Sequence, residues 1–446
     1  MKYEKAKLII DGKTKSIFVV KGDDNLVVIE NKDDITAFDD STFTKEFASK
    51  GEHATTTTCR VFELLQAAGI SVAYKGQISP TEFVADRCAM IQLEVVARRL
   101  AVGSFLKRHP ELTPKKGQAP HRFHKLVVEF FLKTTGGKLI SNNRDILLAG
   151  LRHIVDGKTK TLDDPFIINP FEEEWQLAHP KKPDWENESN LEKTVIRELV
   201  VPSDANLRMS DMETMMRQVF LILEGAWNTL GLRIIDMKIE FGINPNGKLL
   251  VSDVIDNDSW RLRTHDWLEL SKQAFRDGES LSEVEKKYGT VAKLTERFRI
   301  PNQALILWRG SDKDPWPVFD SKLKELISSI EKITFSGHKS PVQYIDILEK
   351  LMAKYPDGGV IVAKVGRSNG LGPLLAARTS WPVIAIPATA DKFPEDIWSS
   401  VRMPSEVPLS TSWPEGNAIG QAVNILSQKN PALYMWNQKY IENLGR

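Results

Sequence analysis

The sequence predicts an α/β protein of two domains, an N-terminal α+β domain with antiparallel sheets and a C-terminal doubly wound parallel domain. Three observations predict it. Between residues 7 and 30, and again from 234 to 261, strand-like runs alternate with tight turns, the texture of antiparallel hairpins. Beyond 303, the short continuous apolar runs ALILW (304–308), GVIVAK (359–364) and VIAIP (383–387) are separated by amphipathic helical patterns over 317–332, 341–354 and 394–401. That alternation marks a parallel sheet covered on both faces. The pattern switches at 297–302 and divides the 446 residues into 1–298 and 303–446, ample chain for more than one core.

Composition narrows the function classes. Hydrophobic residues make up 41% and charged residues 27%, as in soluble globular proteins. With 60 Lys and Arg against 59 Asp and Glu, nothing drives the chain as a whole toward nucleic acid or an anionic membrane, and neither is expected as a partner. Cys59 and Cys88 are the only cysteines and form no CxxC, which points to a reducing compartment. The first residues lack the apolar stretch of a secretory signal, and no run approaches the ~18 apolar residues of a membrane span, so a cytoplasmic location is expected.

Taken in order, LII (8–10), SIFVV (16–20) and NLVVIE (25–30) read as strands, the first two joined by the turn DGKTK (11–15). An apolar-periodic helix is predicted from Thr58 to Ala68, stopped by Gly69. Residues 90–96 read as a strand running into Arg98-Arg99, with Gly103-Ser104 just beyond, and 124–133 resume strand character. From about 136 to 202, charged stretches with Pro and Trp dominate. This is read as an elaborated insertion with helices at 144–154 and 190–199. A helical pattern opens at Ser210, where Ser210 and Glu213 form a capping box; Met212, Met215, Met216, Val219, Phe220, Leu223 and Trp227 line one face and Gly231 ends it. From 262 to 299 the chain is charged and helical.

Residues 234–261 are the most informative. Period two puts Asp236, Lys238 and Glu240 on one strand face and Ile235, Met237, Ile239 and Phe241 on the other. Asn246-Gly247 is a strong two-residue hairpin signal. With that loop, Glu240 faces Asp253 and Asp236 faces Asn257. Two carboxylates ~5 Å apart across a strand pair repel. A cation relieves this, and Mg²⁺ bound by one or two carboxylates plus substrate phosphates suits the pair. A solvated hairpin face with incidental charges is the alternative. The run GINPNGKL (242–249) fits GxxxxGK but ends in Leu and lies inside the hairpin, so it is not a P-loop. DGKTK occurs at 11–15 and at 156–160. Only the first stands between two strands, where backbone N–H groups with Lys13 and Lys15 can grip phosphates. Arg98 beside Gly103-Ser104 offers a further anion site, and Arg261 adds a guanidinium at the hairpin's exit. The set points to ATP and metal chemistry on an antiparallel sheet, with an anionic second substrate.

These residues resemble SAICAR synthetase, the purine-pathway ligase. DGKTKSIF (11–18), DDITAFD (33–39), MIQLEVVARRLAVGS (90–104), IDMKIEFG (235–242), SDVIDNDSWR (252–261) and SKQAFRD (271–277) carry the resemblance in order and spacing, apart from the insertion. It implies an ATP-grasp-like fold for residues 1–298. It also implies a reaction in which ATP activates the carboxylate of carboxyaminoimidazole ribonucleotide (CAIR) as an acyl phosphate, which the aspartate amine attacks. By position it assigns Lys13, Lys15, Glu240 and Asp253 to ATP, the two acids also to Mg²⁺, and Asp236 and Lys238 to catalysis. It assigns Asp39, Arg98, Ser104, Asp258, Ser259, Arg261, Lys272 and Arg276 to the substrates. Gln92 in place of the usual Pro and Val102 in place of Thr or Ala are departures that remove no charged group.

Beyond 303, three polar motifs follow strands: WRGSDKD (308–314), SGHK (336–339) and GRSNGLGP (366–373). All lie past carboxyl ends of strands, where open α/β sheets bind ligands. A tight turn explains one such loop and a structural role explains a lone His338; three motifs at one edge argue for a site. With PEGNA (414–418) they resemble AIR carboxylase, in the class that uses CO₂ directly. The resemblance implies that Gly310, Ser311, Asp314, Ser336, Gly366, Arg367, Asn369 and Gly370 bind aminoimidazole ribonucleotide (AIR). It implies that Lys339 and Ser368 orient CO₂ and that His338 transfers the proton. GSDKD replaces GSxSD, with Lys313 where a Ser is usual, and SGHK replaces SAHK, where Gly337 is expected to loosen the loop. The chain reads as a bifunctional purine enzyme that makes CAIR from AIR and CO₂ and joins it to aspartate, with ATP and Mg²⁺, as a homo-octamer built on the second domain. The competing reading keeps only the ligase and makes the second domain a non-catalytic oligomerisation module.

Overall fold

The computed structural model describes residues 3–36, 44–136, 138–141, 144–147, 152–155, 158–161, 163–181, 194–201, 208–319, 323, 327, 329–339 and 342–444. They fall into two compact units, Met1–Arg299 with Glu442–Arg446, and Ile300–Ile441.

The first unit holds two main sheets. One is an antiparallel run in the order Lys5–Asp11, Lys15–Val20, Asp23–Asn31, Glu82–Asp86, Tyr74–Ser79. The helix Lys50–Ala67 contacts it and starts eight residues before the predicted Thr58. A polar, β-branched stretch (HATTTT, 53–58) hides the helix from periodicity, because threonine is a weak helix former. Tertiary contact overrides that preference. Thr55, Thr57 and Thr58 are buried, and Asn31 Nδ2 donates to Thr55 Oγ1 at 2.8 Å. At Gly51 a Cβ would lie 2.7 Å from the Asn31 carbonyl oxygen, so only glycine permits this approach.

The other sheet runs Thr194–Ile196, Glu174–Ala178, Phe166–Ile167, Arg122–Leu132, Leu93–Leu100, Leu232–Ile243, Leu249–Ser252, with Trp260–Thr264 and Ala89–Met90 also paired to Leu232–Ile243. The 136–202 segment is therefore no helical appendage. Three of its strands extend this sheet, and Lys138–Ser141 with Arg144–Leu147 and Arg152–Val155 with Lys158–Thr161 form two short hairpins. The helix expected at 144–154 is replaced by these strands. Of the one expected at 190–199, the first part lies outside the described residues and the rest is a strand and a 3₁₀ turn at Arg197–Leu199. The pairs Ser141↔Arg144 and Val155↔Lys158 each enclose two residues, Asn142-Asn143 and Asp156-Gly157. Asp-Gly and Asn-rich pairs favour two-residue hairpins, and this local signal outweighs the intervening leucines.

The helix Met209–Thr229 packs on Leu93–Leu100 and Leu232–Ile243. Of its predicted apolar residues, Met212, Met216, Val219, Phe220, Leu223 and Trp227 are at 0% exposure, each contributing roughly 1.5–3 kcal/mol by burial, while Met215 is half-buried. Its cap differs from the expected Ser210–Glu213 box. The first helical residue is Met209, and Asp211 in the third position accepts from the Arg208 backbone N at 3.3 Å and from its Nη2 at 3.1 Å; Arg208, a donor only, completes no box, while Glu213 pairs with Arg217 at 2.6 Å.

The hairpin register also differs from expectation. Glu240 pairs with Ser252, Phe241 with Val251 and Ile243 with Leu249, one residue away from the register a two-residue loop sets. The cause is Asn244. Its side-chain oxygen accepts from Asn246 N (3.1 Å) and Lys248 N (3.0 Å), and its carbonyl accepts from Gly247 N (2.9 Å). Asn at the first position, Pro245 at the second and Gly247 at φ 74° make a type I turn inside a longer loop. Asp253 then falls beyond the last ladder pair, at φ 63°. Asp236 does not face Asn257; it lies between Arg98 and Arg261 on its two neighbouring strands.

The second unit is a five-stranded parallel sheet in the order Ser329–Thr334, Ala304–Arg309, Gly359–Val365, Val383–Pro387, Leu409–Thr411. Ile306, Trp308, Ile361 and Ala363 face a core with Leu348 and Leu375; Leu305, Leu307, Val360 and Val362 face another with Ala422 and Val423. The sheet is thus covered on both faces. Of the helix expected over 317–332, Leu323 is helical, residues 320–322, 324–326 and 328 lie outside the described residues, and the end is strand at Ser329–Thr334. That strand is at the sheet edge and only partly buried, so it lacks the continuous apolar run by which its neighbours are recognised. Strand order 2-1-3-4-5 places a topological switch point between Ala304–Arg309 and Gly359–Val365, where ligands bind in such sheets.

Candidate active sites

In the first unit the DGKTK turn and the hairpin meet. Asp11 shapes the turn, accepting from Ser16 Oγ (2.7 Å) and Lys32 Nζ (2.6 Å), and Gly12 N donates to the Lys15 carbonyl at 2.9 Å. Lys13 is exposed on the turn, and Lys15 reaches across to an ion pair with Asp253. Burial pulls the Lys15 ammonium down to about 8, against the nearby Glu240 carboxylate, which holds it up. Glu240 pairs with Lys133 at 2.5 Å and Lys238 with Glu94 at 2.5 Å. Burial opposes the Lys238 charge, yet Glu94 more than compensates and keeps its pKa raised. The site thus alternates acids and lysines. A polyphosphate can take over the lysines and free the acids for a cation.

Among the described residues no cluster of three or more His, Cys, Asp or Glu could hold a metal by itself. Glu240 and Asp253 are hard oxygen donors whose present partners are flexible lysines. They fit Mg²⁺ in the mode that needs one or two carboxylates and completes its shell with phosphate and water.

A second cluster surrounds Asp236, 4% exposed. Its Oδ2 accepts from Arg98 Nη1 and Arg261 Nη1, both at 2.5 Å. Arg98 also donates Nε to Glu129 at 2.6 Å and Nη2 to Ser104 Oγ at 3.3 Å, and Glu129 in turn pairs with Arg108. Three arginines on two carboxylates leave one net positive charge here, a suitable seat for a phosphate or carboxylate. Gly103 makes the geometry possible. Its φ 61°, ψ −130° is a glycine conformation, and a Cβ would lie 2.6 Å from Arg261 Nη2. Gly103→Ala is expected to lower stability by about 1–3 kcal/mol, read as a shift of the urea midpoint; a variant as stable as the parent would refute the strain.

The third cluster centres on Asp258, which accepts from Lys272 Nζ at 2.8 Å and from the Tyr288 hydroxyl, with Lys50 at 3.8 Å. Although burial pushes the other way, Lys50 and Lys272 hold the Asp258 carboxyl well below the usual range, while burial raises neighbouring Asp256. Ser259 spends its hydroxyl on the turn, accepting from Asp256 N at 3.2 Å and donating to Val254 O at 3.3 Å. Arg276 is exposed on the short helix Gln273–Arg276. Asp39 lies outside the described residues. Sequence reasoning missed Lys50, Glu94, Glu129, Lys133 and Tyr288. Glu129 was detectable as a lone acid in the apolar strand LVVEFFL (126–132), whereas Lys50 and Tyr288 sit in segments with no distinguishing pattern.

In the second unit the parallel strands deliver all three motifs to one edge: Gly310, Ser311 and Asp314 after Arg309, Ser336, His338 and Lys339 after Thr334, and Gly366 to Gly370 after Val365. Asp314 N bonds to Ser311 O at 3.1 Å and Lys339 N to Ser336 Oγ at 3.4 Å. Arg367 is exposed, stacked 4.3 Å over Phe393, and Ser368 is exposed. Asn369 is buried, donating to Ser400 Oγ at 3.0 Å and accepting from Gly372 N at 2.8 Å. His338 lies against Gly370, where a Cβ would fall on the imidazole ring. Gly337 does not loosen its loop. It is buried, and a Cβ there would lie 2.9 Å from Leu371 Cα, so the glycine lets the loop dock closely on the helix Leu371–Ala376.

Comparison with known proteins matches both halves. The SAICAR synthetase family model matches residues 8–162 and 171–294, and the AIR carboxylase family model matches residues 306–445. The chain is 33% identical to "Probable multifunctional protein ADE2" of Caenorhabditis elegans, over 97% of this chain and 92% of that protein. It is 30% identical to a bifunctional phosphoribosylaminoimidazole carboxylase/phosphoribosylaminoimidazole succinocarboxamide synthetase of Drosophila melanogaster, over 99% and 93%. It is 34% identical to a phosphoribosylaminoimidazole-succinocarboxamide synthase of Chloroflexus aurantiacus, over 65% of this chain and 96% of that one.

Proposed function

Because the chain belongs to the bifunctional AIR carboxylase/SAICAR synthetase family, we propose that its second unit carboxylates AIR with CO₂ to CAIR and its first unit ligates CAIR to aspartate, using ATP, to give SAICAR. The observation that carries this reading is the presence, in one chain, of both matched domains with a polar constellation in each.

In the first unit Lys13 and Lys15 neutralise the ATP phosphates. Glu240 and Asp253 would hold Mg²⁺, which supplies further charge neutralisation on those phosphates when bound. Arg98, Arg261 and Ser104 seat the ribotide's anionic groups, with Asp236 fixing both guanidiniums. Lys238 faces the same strand side as Asp236 and Glu240 and carries positive charge toward the transferring phosphoryl group. Asp258, Lys272 and Arg276 serve the aspartate side of the site, with Ser259 in a supporting place and Asp39 assigned to substrate by its sequence position alone. The ribotide carboxylate takes the phosphoryl group, the aspartate amine attacks the acyl carbon, and phosphate leaves.

In the second unit the aminoimidazole carbon is itself nucleophilic and attacks CO₂ oriented by Lys339 and Ser368. As an imidazole can near neutral pH, His338 takes the proton from the carboxylated ring carbon, and the C–H electron pair left behind restores aromaticity. Gly310, Ser311, Asp314, Ser336, Gly366, Arg367, Asn369 and Gly370 form the ribotide cradle. Among the described residues no helix is long and apolar enough to cross a membrane. A cytoplasmic homo-octamer assembled through the second unit completes the reading.

Incubating the protein with AIR, bicarbonate, ATP, Mg²⁺ and aspartate should yield SAICAR by mass spectrometry. CAIR alone would remove the ligase from this reading, and neither product would remove both activities.

A further inference from the structure

We propose that Arg309 is a positioning residue for AIR, setting the shape of the 310–316 loop that presents Ser311 and Asp314 to the ribotide; this rests on the carboxylase reading of the second unit. Nothing in the motif GSDKD asks for an arginine before it. Yet its guanidinium is committed on every side. Nε donates to Thr334 Oγ1 at 2.7 Å, Nη1 to the carbonyls of Asp314 at 2.7 Å and Asp312 at 3.4 Å, and Nη2 to the Asp312 carboxylate at 2.7 Å. The guanidinium carbon also lies 4.3 Å from the centre of the Trp316 ring. A planar fork that bonds two carbonyls two residues apart holds the backbone between them in one conformation.

The loop's far end is held from the neighbouring strand. Lys364 is the register partner of Arg309, so both side chains emerge on the same face of the sheet. Buried Lys364 pairs with Glu415, and Glu415 Oε1 accepts from Val318 N at 3.4 Å. Two adjacent cations, each with its own acid, thus hold the segment at both ends. Arg309 is aimed at the loop rather than at the space above it, so its influence on ligand passes through Ser311 and Asp314.

The full chain carrying Arg309→Met, and separately Arg309→Lys, tests this by AIR carboxylation kinetics and by the competitive inhibition constant of ribose 5-phosphate. The expected result is a KM for AIR raised on the order of 10- to 100-fold, with kcat within about 3-fold and ribose 5-phosphate weakened in parallel. Arg309→Lys keeps the charge without the fork and should stay impaired, and it serves as the folded variant should Met at this position unfold the unit. An unchanged KM, a loss confined to kcat, or an unaltered ribose 5-phosphate constant would overturn the proposal. Failure of the parent protein itself to carboxylate AIR would instead overturn the reading beneath it.

Discussion

Arg98→Met is expected to destabilise the first unit by about 3 kcal/mol and to remove CAIR ligation by on the order of 100-fold. Arg98 is 3% exposed and donates to two carboxylates that are themselves 5% and 4% exposed, Glu129 and Asp236. Deleting a buried ion-pair partner is costly because the charge left behind keeps its desolvation penalty without its compensation. Here Glu129 retains Arg108 and Asp236 retains Arg261, which places the cost at the lower end of the usual range. Urea denaturation followed by fluorescence measures the first effect, and ADP release with CAIR and aspartate the second. Arg98→Lys should recover part of the stability and little of the activity, since an ammonium cannot span both acids and Ser104 at once. A variant with normal stability would show that the network is not the structural centre it is taken for.

His338→Ala is expected to slow AIR carboxylation by about 10²- to 10⁴-fold, the usual contribution of a positioned general acid or base, while CAIR supplied directly is still converted to SAICAR. The His338 side chain is exposed and rests on Gly370, so its removal opens no core. Fixation of labelled bicarbonate reads the first activity and aspartate-dependent ADP release the second. A loss below about 10-fold would place proton transfer on another group, since that is less than general acid–base catalysis contributes.

Legibility followed burial. The three central strands of the second unit are covered on both faces, so they appear in the sequence as unbroken apolar runs. The edge strand Ser329–Thr334, partly exposed, does not, and its pattern reads as amphipathic helix. The helix Met209–Thr229 is visible because one face is largely buried, yet its N-cap lies at Arg208, two residues before the Ser210 that the capping signal indicates. In the hairpin, period two showed which residues share a face, but register depends on what closes the loop. The Asn244 side chain adds residues to the turn that the Asn-Gly pair alone does not announce. The candidate residues came through as motifs, whereas Lys50, Glu94 and Tyr288 became visible only when distant segments met. The missing methyl of Gly337 reads as slack in the sequence, and only its spatial neighbour Leu371 shows close packing.

The longer hairpin loop makes the two acids at 240 and 253 chemically alike and conformationally unlike. Glu240 stands in a regular strand whose backbone accepts either acidic residue. Asp253 has φ 63°, a region that asparagine and aspartate enter readily and that charges most other L-residues about 1–2 kcal/mol. A substitution library across this hairpin will therefore enrich Asp, Asn and Gly at 253 even under selection for folding alone. Depletion of glutamate there reports the backbone, and only depletion of asparagine reports the carboxylate. At 240 the backbone adds no such confounder, so a preference for an acid there reports the carboxylate, through its pairing with Lys133 as well as through ligand.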